Sequence, residues 1–168
     1  EGLLLLTNDG ELKRKLELPT TGWLRRYRVR AHGRPNEKML APLKRGITVD
    51  GERFKPMQVE IERQQGANVW LTIGLREGKN REIRRALESL GMTVSRLIRL
   101  SYGPFQLGDM KEGAVEEIKG KILRDQLGGL LPGASAPKEP KGEAQKTRQK
   151  PGAAKPRPRS GGPGKSQP

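Results

Sequence analysis

Two runs of alternating polarity constrain this chain more than any other feature. Met57, Val59 and Ile61 alternate with Gln58, Glu60 and Glu62, and Val69, Leu71, Ile73 and Leu75 alternate with Trp70, Thr72 and Gly74. A period of two marks a strand with one buried face. Gln65-Gly66-Ala67-Asn68 between the runs is a short connection, so the pair predicts a long antiparallel hairpin. Residues 23–32 predict a further strand: Tyr27, Val29 and Ala31 alternate with Arg28, Arg30 and His32, giving one apolar and one basic face.

The period changes in residues 77–99. After the polar loop Glu77-Gly78-Lys79-Asn80, the apolar residues Ile83, Ala86, Leu87 and Leu90 fall at i, i+3, i+4 and i+7, and Gly91 stands at the expected stop. This reading crowds Lys79, Arg81, Arg84 and Arg85 into the first turn of a helix. The partial positive charge of a helix N-terminus disfavours cations there. An external anion would reverse that preference. Phosphate is the simplest, because backbone N–H groups and guanidinium forks both suit it.

The remaining segments complete the pattern. Residues 3–6, all leucine, predict a short buried central strand. Asn8 with Glu11 resembles a capping box before a helix through Leu12 and Leu16 that ends ahead of Pro19. Asn36 is placed to cap a helix carrying Met39, Leu40 and Leu43, closed by Gly46. Residues 47–54 predict a small hairpin about Asp50-Gly51. Residues 94–100 predict a strand bearing Arg96 and Arg99, broken by Gly103-Pro104 and extended by residues 105–107. Ala114, Val115, Ile118, Ile122 and Leu123 predict a last helix ending near Gly128-Gly129. Interspersed strands and helices make the class α+β, a mixed, mainly antiparallel sheet with flanking helices.

Composition shifts at residue 134. Residues 134–168 hold nine Lys/Arg against two Glu, with seven prolines and no Leu, Ile, Val, Phe, Tyr or Trp. Such a segment buries no core and is expected to be disordered. The expected organisation is one domain over residues 1–133 and a basic tail over 134–168. The tail accounts for +7 of the net charge of +15, so the domain keeps +8. A basic domain, and not only a basic tail, points to a polyanionic partner, nucleic acid rather than membrane. Cysteine is absent and histidine occurs once, which argues against thiolate or zinc chemistry. With no basic–apolar signal opening the chain, a cytoplasmic monomer is the expectation.

Four segments carry a family resemblance: EGLLLLTNDGEL at residues 1–12, RYRV around Tyr27, EGKNREIRR at residues 77–85 and VSRLIRLSYGPFQL at residues 94–107. In this order they resemble the rRNA pseudouridine synthases, on the branch that holds the ribosomal small-subunit enzyme A and large-subunit enzyme B. The basic, proline-rich tail is more similar to the large-subunit enzyme and favours 23S over 16S rRNA as partner. The resemblance implies isomerisation of uridine to pseudouridine, with no cofactor and no metal. It implies that Arg84 pairs with a catalytic aspartate acting as nucleophile or base, and that Tyr27 stacks on the uracil. It also implies base flipping, with Lys79, Asn80, Arg81 and Arg85 clamping flanking phosphates. Arg99, Arg28 and Arg30 are weaker RNA-binding candidates. Glu82 counts against the clamp, as a carboxylate near phosphate. Trp23 and Trp70 are expected to pack rather than to stack on bases.

The family motif Gly-Arg-Leu-Asp-x-x-(Thr/Ser)-Glu-Gly overlaps this chain only at Glu1-Gly2. The expectation is that the aspartate and an S4-like RNA-binding domain precede Glu1 in an intact parent, and that this chain alone is inactive. The competing expectation is a non-catalytic rRNA-binding or ribosome-assembly protein using the same basic surface.

Overall fold

In the computed structural model, which describes residues 1–18 and 21–128, the alternating segments assemble into one antiparallel sheet. The elements in chain order are α1 (Gly10–Glu17), β1 (Arg25–His32), α2 (Glu37–Arg45), β2 (Thr48–Val49), β3 (Glu52–Arg53), β4 (Gln58–Gln65), β5 (Asn68–Leu75), α3 (Glu82–Glu88), β6 (Thr93–Tyr102), β7 (Phe105–Gln106) and α4 (Gly120–Leu127). The main sheet runs β4-β5-β1-β6-β7, and β2 and β3 form a separate ribbon. The α+β class and its mainly antiparallel sheet stand as the sequence predicts. Residues 129–168, which include the expected domain boundary and tail, lie outside the described residues.

Register sets the sides. Val29 faces Leu71, and Tyr27 lies opposite Ile73 on β5 and Arg99 on β6. The inward residues of β1, β4 and β5 meet Leu40 and Leu43 of α2 and Ile83, Ala86 and Leu87 of α3 in the principal core. A second cluster joins Leu3, Leu16, Tyr102, Phe105 and Leu127. Trp23 packs edge-on against Tyr102 and Phe105 there, at 6.2 Å from each. Trp70 is buried under Arg28, 4.7 Å from its ring centroid. Both tryptophans pack, as expected. The hairpin at Asp50-Gly51 forms, with positive φ at both residues. Asn36 caps α2 through the Met39 amide at 2.9 Å, and Gly46 closes it.

Several expectations are corrected. Residues 3–6 are not a central strand. Gly2 makes one parallel bridge to Arg99, the Leu3 amide donates to the Arg99 carbonyl at 2.9 Å, and the chain then lifts away. Leu3 is buried, but Leu4 is 70% and Leu6 81% exposed. The cause is competition for one edge: from Leu100 onward β7 already occupies that side of β6, where the Leu107 amide bonds the Leu100 carbonyl. Only glycine fits at position 2, since φ is +90° and a Cβ would collide with the Arg99 backbone. The cap of α1 is Asp9, which accepts from the Leu12 amide at 3.0 Å, and not Asn8. β5 buries both faces, because Arg28 covers Trp70 and Leu24 and Gln58 lie against Gly74. The last helix starts only at Gly120: Val115 is 87% exposed and finds no core, while Ile118, Leu123 and Leu127 reach the second cluster.

Candidate active site

The basic segment after β5 is built differently from the sequence expectation. α3 has seven residues and begins at Glu82, an acid in the first turn, while Arg85 stands in the last turn where the dipole favours a cation. Of the four cations, Arg81 is the N-cap and Arg84 the third residue of α3, while Lys79 lies in the loop before it and Arg85 in its last turn. Arg81 precedes the helix in the left-handed region, at φ 48° and ψ 27°. That conformation costs a residue with a side chain about 1 kcal/mol or more. It turns the loop sharply into α3 and leaves the Arg81 side chain at the mouth of a pocket.

This pocket, of about 190 Å³, is lined by Tyr27, Leu75, Gly78, Lys79, Arg81, Glu82, Ile83, Arg84 and Leu97. Tyr27 and Arg84, 57 positions apart in sequence, thus face one space. Arg84 donates from Nη1 to the Val94 carbonyl at 2.9 Å, which fixes its guanidinium. Among the described residues no carboxylate pairs with it, although Arg28, Arg85 and Arg96 each have one. Gly78 forms part of the wall. At φ +70° it lies against the buried guanidinium of Arg25, and a Cβ would sit 2.5 Å from Arg25 Nη1.

Of the other expected RNA ligands, Lys79 and Arg81 line the pocket, and Asn80, Arg85 and Arg99 do not. Asn80 is exposed on the loop. Arg85 bonds Glu52, approaches Asp50 at 3.6 Å and stacks on Phe54 at 5.0 Å. Its guanidinium holds the Glu52 carboxyl below the usual carboxylate range. Lys79 donates to the Arg53 carbonyl at 2.6 Å and sits 3.5 Å from Glu52. The ribbon β2–β3 therefore neutralises part of the supposed clamp. Arg99 donates from Nε to the Leu3 carbonyl at 2.8 Å and packs 5.2 Å from the Tyr102 ring, which ties it to the first residues of the chain. Those residues approach the pocket as well. The amino group of Glu1 donates to the carbonyl of Leu97, a pocket residue, at 2.9 Å, and the Glu1 carboxylate bonds Arg96.

Glu82 is turned inward and not toward a bound anion. It is 3% exposed and its neighbour Glu77 8%. Glu82 Oε2 accepts from the Lys79 amide at 2.8 Å, and Glu77 Oε1 accepts from the Lys55 amide at 2.7 Å. Glu82 Oε1 has no hydrogen-bond partner among the described residues. Burial pushes the Glu82 carboxyl up to about 7; the Lys79 amide opposes this, and the facing Glu77 carboxyl adds to it. The sign for stability follows. Between the ordinary value of 4.5 and about 7 the folded chain keeps a proton that the unfolded chain has lost. Stability therefore falls as pH rises across that window, by up to about 3 kcal/mol. We expect the thermal midpoint to drop from about pH 5 to about pH 8, and Glu82→Gln to remove most of the drop. An unchanged slope in the variant would refute this account of Glu82.

Sequence reasoning missed Leu75, Leu97 and the buried role of Glu82. Leu75 and Leu97 were visible only as members of alternating strands, and no sequence signal marks which strand end opens into a pocket.

The sheet and its pocket define a class. The fold matches a solved pseudouridylate synthase at a TM-score of 0.61 and 28% identity, over 73% of this chain and 53% of that one. The chain is 44% identical over 127 residues to an uncharacterised RNA pseudouridine synthase of Rickettsia prowazekii, covering 76% of this chain and 54% of that protein. It is 38% identical over 133 residues to the ribosomal large subunit pseudouridine synthase B of Haemophilus influenzae, covering 76% of this chain and 37% of that one. No protein-family model matches. Over about three quarters of its length the chain is similar to RNA pseudouridine synthases. It spans about half the length of the first curated relatives it matches.

Proposed function

We propose that this chain is the catalytic portion of a synthase that isomerises a uridine of ribosomal RNA to pseudouridine, in 23S rather than 16S rRNA. The observation that carries the reading is the pocket that Tyr27 and Arg84 both line, with Arg84 paired to no carboxylate among the described residues. The reaction breaks the N1–C1′ bond, rotates the base and forms a C5–C1′ bond. One proton leaves C5 and one arrives at N1, so the conversion is balanced without a co-reactant.

The roles follow from chemistry. Arg84 orients a carboxylate and keeps it ionised, since an opposite charge within about 4–6 Å lowers a carboxylate's pKa. That carboxylate would belong to the aspartate of the family motif, four residues before Glu1 in a longer parent. The hydrogen bond from Glu1 to Leu97 supports this, because a segment entering there passes beside the pocket. Tyr27 supplies a flat surface for the base and a hydroxyl for proton transfer. A pocket well below the roughly 300–1,000 Å³ of drug-sized sites suits one extruded base. Arg81 and Lys79 would hold the adjoining backbone. Such an enzyme would work in the cytoplasm.

The test is to delete the gene and map pseudouridines in 23S and 16S rRNA. One position in 23S rRNA is expected to revert to uridine and to be restored by the intact gene. Loss of a 16S position would reassign the substrate. No loss in either RNA would overturn the enzyme reading in favour of an rRNA-binding or assembly role.

A further inference from the structure

Glu77 and Glu82 close the two ends of the loop that carries Gly78, Lys79, Asn80 and Arg81. Both carboxyls are at least nine-tenths buried, and the Lys79 amide is anchored on Glu82 Oε2. The second oxygen of Glu82, buried and without a partner, is an orphan only if the group is ionised. As a carboxylic acid it becomes a donor toward Glu77, and the orphan disappears.

We propose that Glu82 is a positioning residue for the RNA-gripping loop: its buried carboxyl, bonded to the Lys79 amide, holds Gly78, Lys79 and Arg81 in place at the pocket. This rests on the proposed function for what the loop grips, and on the structure alone for how the loop is held. When Glu82 loses its proton, a carboxylate is left in a buried site with one oxygen unpartnered, and the cheapest relief is to release the Lys79 amide and open the loop. Lys79, Arg81 and the Gly78 wall then lose their places at the pocket, and affinity for RNA falls.

The other charges around the pair act on the same equilibrium. Lys79 Nζ stands 3.9 Å from Glu77 Oε2 and is shared with Glu52. Arg25 packs beneath Gly78 with its Nη1 unpartnered. Both cations favour the ionised form. Lys55 presents its backbone amide to Glu77, and Tyr27, Arg81 and Arg84 share the pocket with Glu82. Arg85 and Asp50 act through Glu52 only. At Glu82 itself, burial outweighs the opposing backbone amides of Lys79 and Gly78 and raises the carboxyl to about 7.

The experiment uses the 168-residue chain and a short fluorescein-labelled RNA hairpin with an all-uridine loop. Binding by the native chain is expected to weaken about five-fold between roughly pH 6 and pH 8, the window in which Glu82 loses its proton. Glu82→Gln keeps the size of the group, still accepts from the Lys79 amide and always carries a donor. Its affinity is expected to stay within about two-fold over the same range. A variant slope equal to the native slope overturns the proposal. An independent reading needs no variant and no RNA: the ¹³C carboxyl shift of Glu82 should titrate near 7, with the Lys79 amide following it. Titration in the ordinary acid range overturns the proposal. If the carboxyl and amide titrate as expected but the hairpin binds at neither pH, the positioning role stands and the RNA reading falls.

Discussion

Arg84→Ala, placed in a longer protein that supplies the motif aspartate ahead of Glu1, is expected to lower turnover by about 10²–10³-fold or more. A carboxylate entering this pocket loses water, and the Arg84 guanidinium, paired to no carboxylate among the described residues, is fixed in place by its bond to the Val94 carbonyl. Removing it both misaims the carboxylate and raises its pKa. The fold should survive, because Arg84 is half-exposed and gives up one hydrogen bond, worth about 1 kcal/mol. RNA affinity should drop only a few-fold, since phosphate contacts are spread over many cations. Arg84→Lys keeps the charge but loses the planar fork, so its rate should fall between the two. Single-turnover pseudouridine formation together with filter binding separates these effects. A turnover within ten-fold of the native rate would remove Arg84 from the mechanism.

Phe54→Ala is expected to be the most damaging substitution for stability, at about 3–5 kcal/mol. Phe54 is fully buried in the principal core. Its amide and carbonyl both bond Ile47, which closes the β2–β3 ribbon. Its ring also lies 5.6 Å from Lys79 Nζ and 5.0 Å from the Arg85 guanidinium, contacts worth about 0.5–1 kcal/mol each at exposed sites. Truncation leaves a cavity, loosens the ribbon that carries Asp50 and Glu52, and frees Lys79 and Arg85. A loss of this size can exceed what a small domain has in reserve. Phe54→Leu, which fills the cavity without a π face, is the variant expected to remain folded. Urea unfolding of both variants is the check. An alanine variant within about 1 kcal/mol of native would show that Phe54 does not hold the ribbon to the core.

Much of the fold was legible because it repeats locally. The alternation at Met57, Val59 and Ile61 and from Val69 to Leu75 reports a strand from within the strand itself, and Asn36 announces the start of α2 next door. Residues 3–6 show where this stops. Four leucines carry no alternation, so neither the exposure of Leu4 and Leu6 nor the edge already taken by β7 can be read from them. The final helix was overextended for a related reason: Ala114 and Val115 fit a helical spacing with the residues that follow, but Val115 is left exposed and joins no core cluster among the described residues. The site was legible where a motif carried it, at Tyr27 and Arg84, which do share a pocket. It was not legible where a partner decides the role. Arg85 reads as a free cation until Glu52, 33 residues earlier, is seen against it. Glu82 reads as a flaw in a phosphate clamp until its carboxyl is seen to turn inward.

The bridge between Gly2 and Arg99 also bears on folding kinetics. It joins residues nearly a hundred positions apart, whereas the β4–β5 hairpin closes across two. Closing so long a loop costs entropy that few contacts repay early. The opening residues should therefore zip onto β6 only after the sheet has formed, beyond the rate-limiting barrier. Their grip on Leu97 and Arg99 then governs how slowly the protein comes apart, and leaves the speed of its assembly to the hairpins.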